Sequence, residues 1–385
     1  MATDTAEFLS AKSILDHFSE LDDPRSDVNR VHQLGDIVVI AIMAVLAGAE
    51  GPKAIGLWAQ SNQQWLQERL DLPGGIPSHD TIGRVLLALK PSAFQACFQK
   101  WIASISTGAS GKQDLDVVAI DGKALRRSHD RKNNLGALFI VSAWAVQRGV
   151  SLGQLATAEK SNEITAIPEL IEQIDIEGSV VTIDAAGCQK AIAEKIVDGR
   201  ADYVLALKGN QGNLYQAAMD YVVEAMESDF ANVKFRSHVE TLKGHGRTDE
   251  ITYYQLTVPK DLPQRSSWKK LKTIGVAIRH SESGSGETDE VRYFISSLPL
   301  SIKRFAASVR GHWSIENTLH WCLDVTFRED ENRTRNRTLA ENLAWLKRFA
   351  ISLLKQVDDK ESIAMRRRMS GWNPDYLAKV LGIPV

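Results

Sequence analysis

Three carboxylates in this sequence stand where metal-dependent chemistry could be done. Asp121 directly follows the apolar run 117–120, and Asp184 directly follows the apolar run 180–183, so each sits at the carboxyl end of a buried-strand pattern. Open α/β sheets carry their sites at that end. Each aspartate alone also fits a local role, Asp121-Gly122 as a hairpin turn and Asp184 as the cap of a helix over 189–197. Glu316 lies on a heptad-spaced stripe of Ile302, Val309, Glu316 and Leu323, with Phe305 and Leu319 beside it, in a helix expected over 301–323. The stripe puts a carboxylate in a core position, where an unpaired charge is costly and calls for a cation. That cation is either a metal ion or a salt-bridge partner such as Arg126 or Lys208.

Carboxylates drawn from two strand ends and a distant helix suit hydrolysis and transfer at phosphodiesters. Hard oxygen ligands favour Mg²⁺ or Mn²⁺, and two ions ~3.5–4 Å apart stabilise the attacking and leaving oxygens of an in-line displacement. Such a site needs neither a side-chain nucleophile nor an organic cofactor. Lys123, Arg126, Arg127 and Lys208 lie just beyond the strand ends, where a scissile strand would run, and are candidate phosphate contacts. Arg310 and His312 are further phosphate candidates. Trp313 and Trp321 could stack on an unpaired base or belong to the core. His312 and His320 flank Glu316 with a spacing that resembles zinc ligation, and His245 and Arg247 lie in a glycine-flanked loop that could reach DNA or simply face solvent.

The elements that would position these groups divide the chain. Helical patterns at 37–49, 53–70, 80–89 and 92–105 make residues 1–107 an all-helical N-terminal domain, with Arg84 on a short capped helix that could read DNA or pack in a bundle. Gly108 to Gly111 reads as a linker. Short β-rich runs at 117–120, 138–146, 153–158, 180–183 and 203–207 follow, with helices at 164–174 and 189–197 between the later ones. That order indicates an α/β mixed sheet with flanking helices over 113–209, completed by 300–350. Between them, 210–299 reads as a β-rich insertion with a helix at 214–227, strands at 252–258, 271–279 and 291–296, and a polar loop from His280 to Asp289. Residues 351–385 form a helical tail.

Composition allows this partner while excluding others. The net charge of −2 alone argues against a nucleic-acid binder, but the distribution is uneven: −5 over 1–120, −2 over 121–300 and +5 over 301–385. Arg328, Arg333, Arg335 and Arg337 cluster just after the Glu316 helix, with Arg366, Arg367 and Arg368 beyond; Arg333 and Arg335 are the strongest DNA-backbone candidates, solvated helix faces the alternative. The apolar stretch 37–49 is shorter than the ~20 residues of a membrane span. No basic-then-apolar leader is evident, so a cytoplasmic, nucleoid-associated protein is expected. Cys97, Cys188 and Cys322 are odd in number and far apart, which speaks for buried hydrophobes rather than disulfides or a zinc finger.

The blocks around the three carboxylates, Val118-Ala119-Ile120-Asp121-Gly122-Lys123, Ile183-Asp184-Ala185-Ala186-Gly187-Cys188-Gln189, Tyr203 to Gln211, and Gly311-His312-Trp313-Ser314-Ile315-Glu316-Asn317-Thr318-Leu319-His320-Trp321, resemble those of the H-repeat-associated transposases of bacterial insertion sequences. The likeness covers nearly the whole chain, including Pro77 to Val85 and Lys243 to Arg247. It implies an RNase H-like catalytic domain, a helical N-terminal domain, and Asp121, Asp184 and Glu316 as a metal-binding Asp-Asp-Glu triad. A larger neighbouring group carries Tyr, Arg and Lys at the positions that are Val309, His312 and Leu323 here, so its hairpin-forming chemistry does not carry over. The expected partners are double-stranded DNA, as element ends and target, and further copies of this chain. Two other functions share these features: a catalytically idle copy acting as a DNA-binding protein, and an RNase H-like nuclease without strand transfer.

Overall fold

The computed structural model describes residues 11–26, 30–106, 116–157, 163–244, 247–284 and 286–383. The linker reading at 108–111 and His245 therefore lie outside the described residues. Helices α1 (Ala11–Phe18), α2 (Leu34–Leu46), α3 (Pro52–Ser61), α4 (Gln63–Gln67), α5 (His79–Ala88) and α6 (Pro91–Ser106) come first. Ser78 caps α5, its hydroxyl accepting from the Thr81 amide. Helix α2 is apolar on every side and is buried on every side, as a helix without a polar face must be.

Among the described residues nine strands form one sheet: β1 (Val117–Leu125), β2 (Leu138–Ala145), β3 (Val150–Thr157), β4 (Val180–Ile183), β5 (Asp202–Leu207), β6 (Phe235–Gly244), β7 (Arg247–Thr257), β8 (Thr273–Ser283) and β9 (Gly286–Ser296), in the order β3-β2-β1-β4-β5-β9-β8-β7-β6. The first three form an antiparallel meander, and β4 and β5 then add parallel to β1. Helices α7 (Glu163–Gln173) and α8 (Lys190–Asp198) make the crossovers. This is an RNase H-like fold. Strand β9 pairs antiparallel with β5, so the strands after α9 (Gly212–Glu227) prolong the same sheet.

Two expectations about this region are corrected. The stretch from His280 to Asp289 is not a loop: β8 and β9 continue as a paired hairpin out to Ser283 and Gly286. Strand β6, absent from the expected elements, carries no apolar alternation. Strand β6 is the edge strand, and the face it half-buries carries His238 and Glu240 beside Leu242, while the hairpin buries Ser281 against Asp249, so the inward positions of both are mostly polar and show no apolar period of two.

Helix α10 (Ile302–Ser314) crosses one face of the sheet. It lies close: a Cβ at Gly311 would fall 2.8 Å from Val117 Cγ1, and a Cβ at Gly275 of β8 would fall 2.2 Å from the Phe305 ring. The chain then runs through two π-helical turns, Ile315–His320 and Cys322–Thr326, into α11 (Arg337–Gln356), α12 (Ile363–Trp372) and α13 (Pro374–Leu381). Helix α11 ties the N-terminal helices to the sheet. On one side Asn342 Nδ2 donates to the carbonyls of Leu86 (2.7 Å) and Leu89 (3.0 Å), and the Phe349 and Phe98 rings are 4.1 Å apart. On the other, Arg348 Nε donates to Ser142 Oγ of β2 at 3.0 Å. Cys97, Cys188 and Cys322 are buried and free. Among the described residues no helix is long and apolar enough to cross a membrane.

Candidate active site

Parallel pairing sets Ile120 beside Ile183, so the residues that follow, Asp121 within β1 and Asp184 just past the end of β4, stand side by side at the same level of the sheet. The register also aligns Ala119 with Thr182, and Thr182 Oγ1 lies 3.3 Å from His312 Nδ1 of α10. Alternation along the strands then turns Asp121 and Asp184 to the face that α10 covers. Asp184 is held from behind, its Oδ1 accepting the amides of Ala186 (3.0 Å) and Gly187 (3.2 Å) in a local turn. It does not cap α8, whose N-cap is Gln189.

Glu316 requires a correction. The heptad stripe puts it in the core, yet it is exposed, while its neighbour Ile315 and Leu319 are fully buried. Phe305, Ser308 and Val309 face inward along α10, but where the helix passes into the π-helical turn Ile315–His320 the inward line runs through Ile315 and Leu319 and leaves Glu316 outside it. A buried-charge argument for a cation at Glu316 therefore fails, and the salt bridge to Arg126 does not form, because Arg126 Nε lies 3.1 Å from Asp330.

What the carboxylates do share is charge. Burial pushes the Asp121 carboxyl up to about 7, and the charges of Asp184, Glu163 and Glu316 push in the same direction against a hydrogen bond from the Gly122 backbone. Glu163, the first residue of α7, is a fourth acid that no motif pointed to. A signal lay at Gly122: a Cβ there would fall 2.7 Å from Glu163 Oε1 and 2.2 Å from the Phe139 ring. Asp121-Gly122 is thus not a hairpin turn. It lies within β1, and the glycine makes room for those neighbours.

His320, one turn after Glu316, sets Nδ1 3.4 Å from Asp121 Oδ2. Burial lowers its pKa to about 3, with the charges of Arg348 and Lys123 adding to the effect. His312 is pushed down to about 4, again mainly by burial. Both imidazoles are neutral at ordinary pH, so His312 offers no charge to a phosphate, contrary to expectation.

Among the described residues no three acidic, imidazole or thiol groups close around one point as a complete ion cage. The donor set nonetheless fits a hard divalent cation. It is all oxygen, its charges add to the burial that raises Asp121, and Mg²⁺ characteristically takes one or two carboxylates and completes its shell with water and substrate phosphate.

The expected phosphate contacts divide. Lys123 is buried and paired three ways, with Asp324 (2.7 Å), Asp330 (2.9 Å) and Glu329 (3.5 Å), so it is a structural cation. Trp313 is partly buried against the core, with the Arg279 and Arg292 guanidinium groups 5.7 Å and 5.0 Å from its ring, so its aromatic contacts are with this chain's own cations. Arg310 is half-exposed but bound to Glu240 of β6 at 3.0 Å. Arg366 and Arg367 are buried rather than solvated. Arg126, Arg127, Lys208, Arg333 and Arg335 are exposed. Arg126 and Arg127 approach the chain just before the 333–337 segment, Arg126 pairing with Asp330 and the Arg127 charge acting on Glu331, while Arg337 donates to the Gly136 carbonyl and the Arg335 charge acts on Asp130 in the loop after β1.

A sheet of this order, with Asp121 of β1 beside Asp184 at the end of the parallel β4 and a glutamate-bearing helix across the same face, defines an RNase H-like domain with an acidic site. Family comparison narrows the class. Residues 112–354 match the model described as "Transposase DDE domain", and residues 15–102 match "DDE_Tnp_1-associated". The H repeat-associated protein YhhI of Escherichia coli (strain K12) is 37% identical over 380 residues, 97% of this chain and 98% of that protein. YncI of Escherichia coli O157:H7 is 38% identical over 378 residues, covering 97% and 95%, and both bear transposase names. The E. coli K12 protein named "Inactive transposase YbfQ" is 37% identical over 78 residues, 20% of this chain and 93% of its own length. The chain belongs to the DDE transposase family, among its H-repeat-associated members.

Proposed function

We propose that this protein cuts and rejoins DNA at the ends of an insertion sequence, acting in the cytoplasm on double-stranded DNA as a homo-oligomer, with Asp121, Asp184 and Glu316 as its catalytic carboxylates. The observation that carries this reading is the side-by-side placement of Asp121 in β1 and Asp184 at the end of the adjacent parallel β4, with Glu316 near enough for its charge to act on Asp121. The three carboxylates would hold two Mg²⁺ or Mn²⁺ ions, which supply charge neutralisation at the attacking and leaving oxygens of the phosphodiester. The amides of Ala186 and Gly187 fix the direction of the Asp184 carboxylate. His320 restrains Asp121. Arg126, Arg127, Arg333 and Arg335, with Lys208 on the next strand end, hold the DNA backbone and fix its register over the acids.

The test is incubation of the purified protein with labelled DNA from the ends of its own locus, with and without Mg²⁺. Cleaved and joined products are expected only with the metal, and Asp121→Asn or Glu316→Gln should remove both while DNA affinity stays nearly constant. Cleavage without joining would assign a nuclease. Binding without either, in the unaltered protein, would assign an idle copy.

A further inference from the structure

The helix that carries Glu316 does not end at the acidic site. It continues through the turn Cys322–Thr326 to the rim of a cleft of about 350 Å³, whose lining includes Val325, Thr326, Arg367, Arg368, Gly371 and Trp372. Its walls are built rather than loose. Gly371 of α12 comes so near the end of α2 that a Cβ would fall 2.7 Å from the Ala47 carbonyl oxygen. Arg367 is buried at the cleft, donating Nε to the Val45 carbonyl at 3.3 Å and Nη1 to the Thr326 carbonyl, and packing its guanidinium 4.1 Å above the Phe327 ring.

Two features of this cleft are unexplained by packing. First, aromatic and apolar surface is left in water: Trp372 is 70% exposed and Val325 57%. Second, its charge is positive and under-compensated. Arg367 Nη2 is buried with no hydrogen-bond partner, burial pushes that guanidinium down to about 10, and the carboxylate acting on it, Glu50, also lies 3.9 Å from Arg328. Arg368 is exposed beside it and has no ion-pair partner among the described residues.

We propose that this cleft binds an unpaired stretch of DNA leaving the acidic site, one base stacking on Trp372 and the adjoining phosphate lying at Arg368 over the buried charge of Arg367. An open aromatic face beside a cation is the arrangement that holds single-stranded nucleic acid without reading its sequence. The nine-step helical path from Glu316 to Val325 puts the cleft on the order of 10–15 Å from the acids, within reach of a strand end that has separated from its complement. The inference rests on the DNA-processing reading above.

The test compares two labelled duplexes, one flush and one carrying a short single-stranded tail, by anisotropy at fixed salt in Ca²⁺ to block cleavage. The tailed duplex should bind roughly tenfold more tightly, as expected for one base stacked on an aromatic side chain. Trp372→Ala should remove that preference and leave flush-duplex affinity unchanged; Trp372→Phe should keep most of it, and Arg368→Ala should weaken the tailed duplex alone. Trp372 is too exposed for its truncation to unfold the chain, which a melting curve will verify. Equal binding of the two duplexes, or a preference that survives Trp372→Ala, overturns the cleft assignment while the DNA reading stands. Failure of the unaltered protein to bind either duplex overturns both.

Discussion

The imidazole of His320 places Nδ1 3.4 Å from Oδ2 of Asp121, and the two groups titrate in the reverse of their usual order. The histidine is held down to about 3 and the aspartate up to about 7. At neutral pH the imidazole is uncharged and the aspartate is midway through its titration, so the contact is not an ion pair. Its use is geometric: a buried ring, fixed by packing, limits where the Asp121 carboxylate can point.

His320→Ala should on that account slow cleavage by about ten- to a hundredfold, the usual effect of losing a group that orients a metal ligand. The loss should fall on the rate at saturating DNA, with the dissociation constant for DNA unchanged. A loss confined to DNA affinity would show that His320 does not act through Asp121.

Behind that pair lies a buried charge network. Glu329, 2% exposed, accepts from Arg348 Nη1 at 2.8 Å and faces Lys123 at 3.5 Å. Removing one member leaves buried cations uncompensated, so Glu329→Gln should cost about 3–5 kcal/mol in denaturant unfolding. Lys123→Met should leave the salt dependence of DNA binding where it was. A reduced salt slope in that variant would restore Lys123 to the DNA contacts.

Asp36, in the first turn of α2, is buried and pushed up to about 6 by burial, with Asp71 adding repulsion. Its folded pKa thus exceeds the unfolded value of ~3.9, so the native state binds the proton more tightly. Stability from this group is fully present below about pH 4 and is lost as pH rises through about 6. Asp36→Asn should flatten that part of the pH profile and raise Tm by a few degrees at pH 8. An unchanged profile would place the slope elsewhere.

The parts of this molecule that were legible in the sequence are those governed by local pattern. The apolar runs before Asp121 and Asp184 are strands β1 and β4, and the all-apolar stretch beginning at Ile37 is a buried helix. What escaped depends on contacts distant in sequence. Glu163 reaches the acids only because the sheet brings the start of α7 beside β1, and Lys123 reads as an exposed cation until Asp324, Glu329 and Asp330 fold over it. Glu316 is the most instructive case. A period of seven assumes one helical geometry throughout, and the π-turn at 315–320 breaks it within a single residue of the site.

The exposed arginines of the 333–337 segment carry the last prediction. Arg333 and Arg335 stand in solvent, and the same segment is tied to the loop after β1 through Arg337 and Gly136, which sets them near Arg126 and Arg127 at the acidic end of the sheet. A duplex lying across that end would meet all four. Replacing Arg333 and Arg335 by Ala should weaken binding to every DNA sequence alike and lower the slope of log K against log salt by ~0.9 for each phosphate no longer neutralised. Discrimination between element ends and random DNA should hardly change, because backbone contacts carry no sequence information. Cleavage by the double variant should be slow at low DNA concentration and recover as DNA is raised, in contrast to Asp121→Asn, which no amount of DNA should rescue. An unaltered salt slope would assign these arginines to contacts between subunits and move the DNA path towards Lys208.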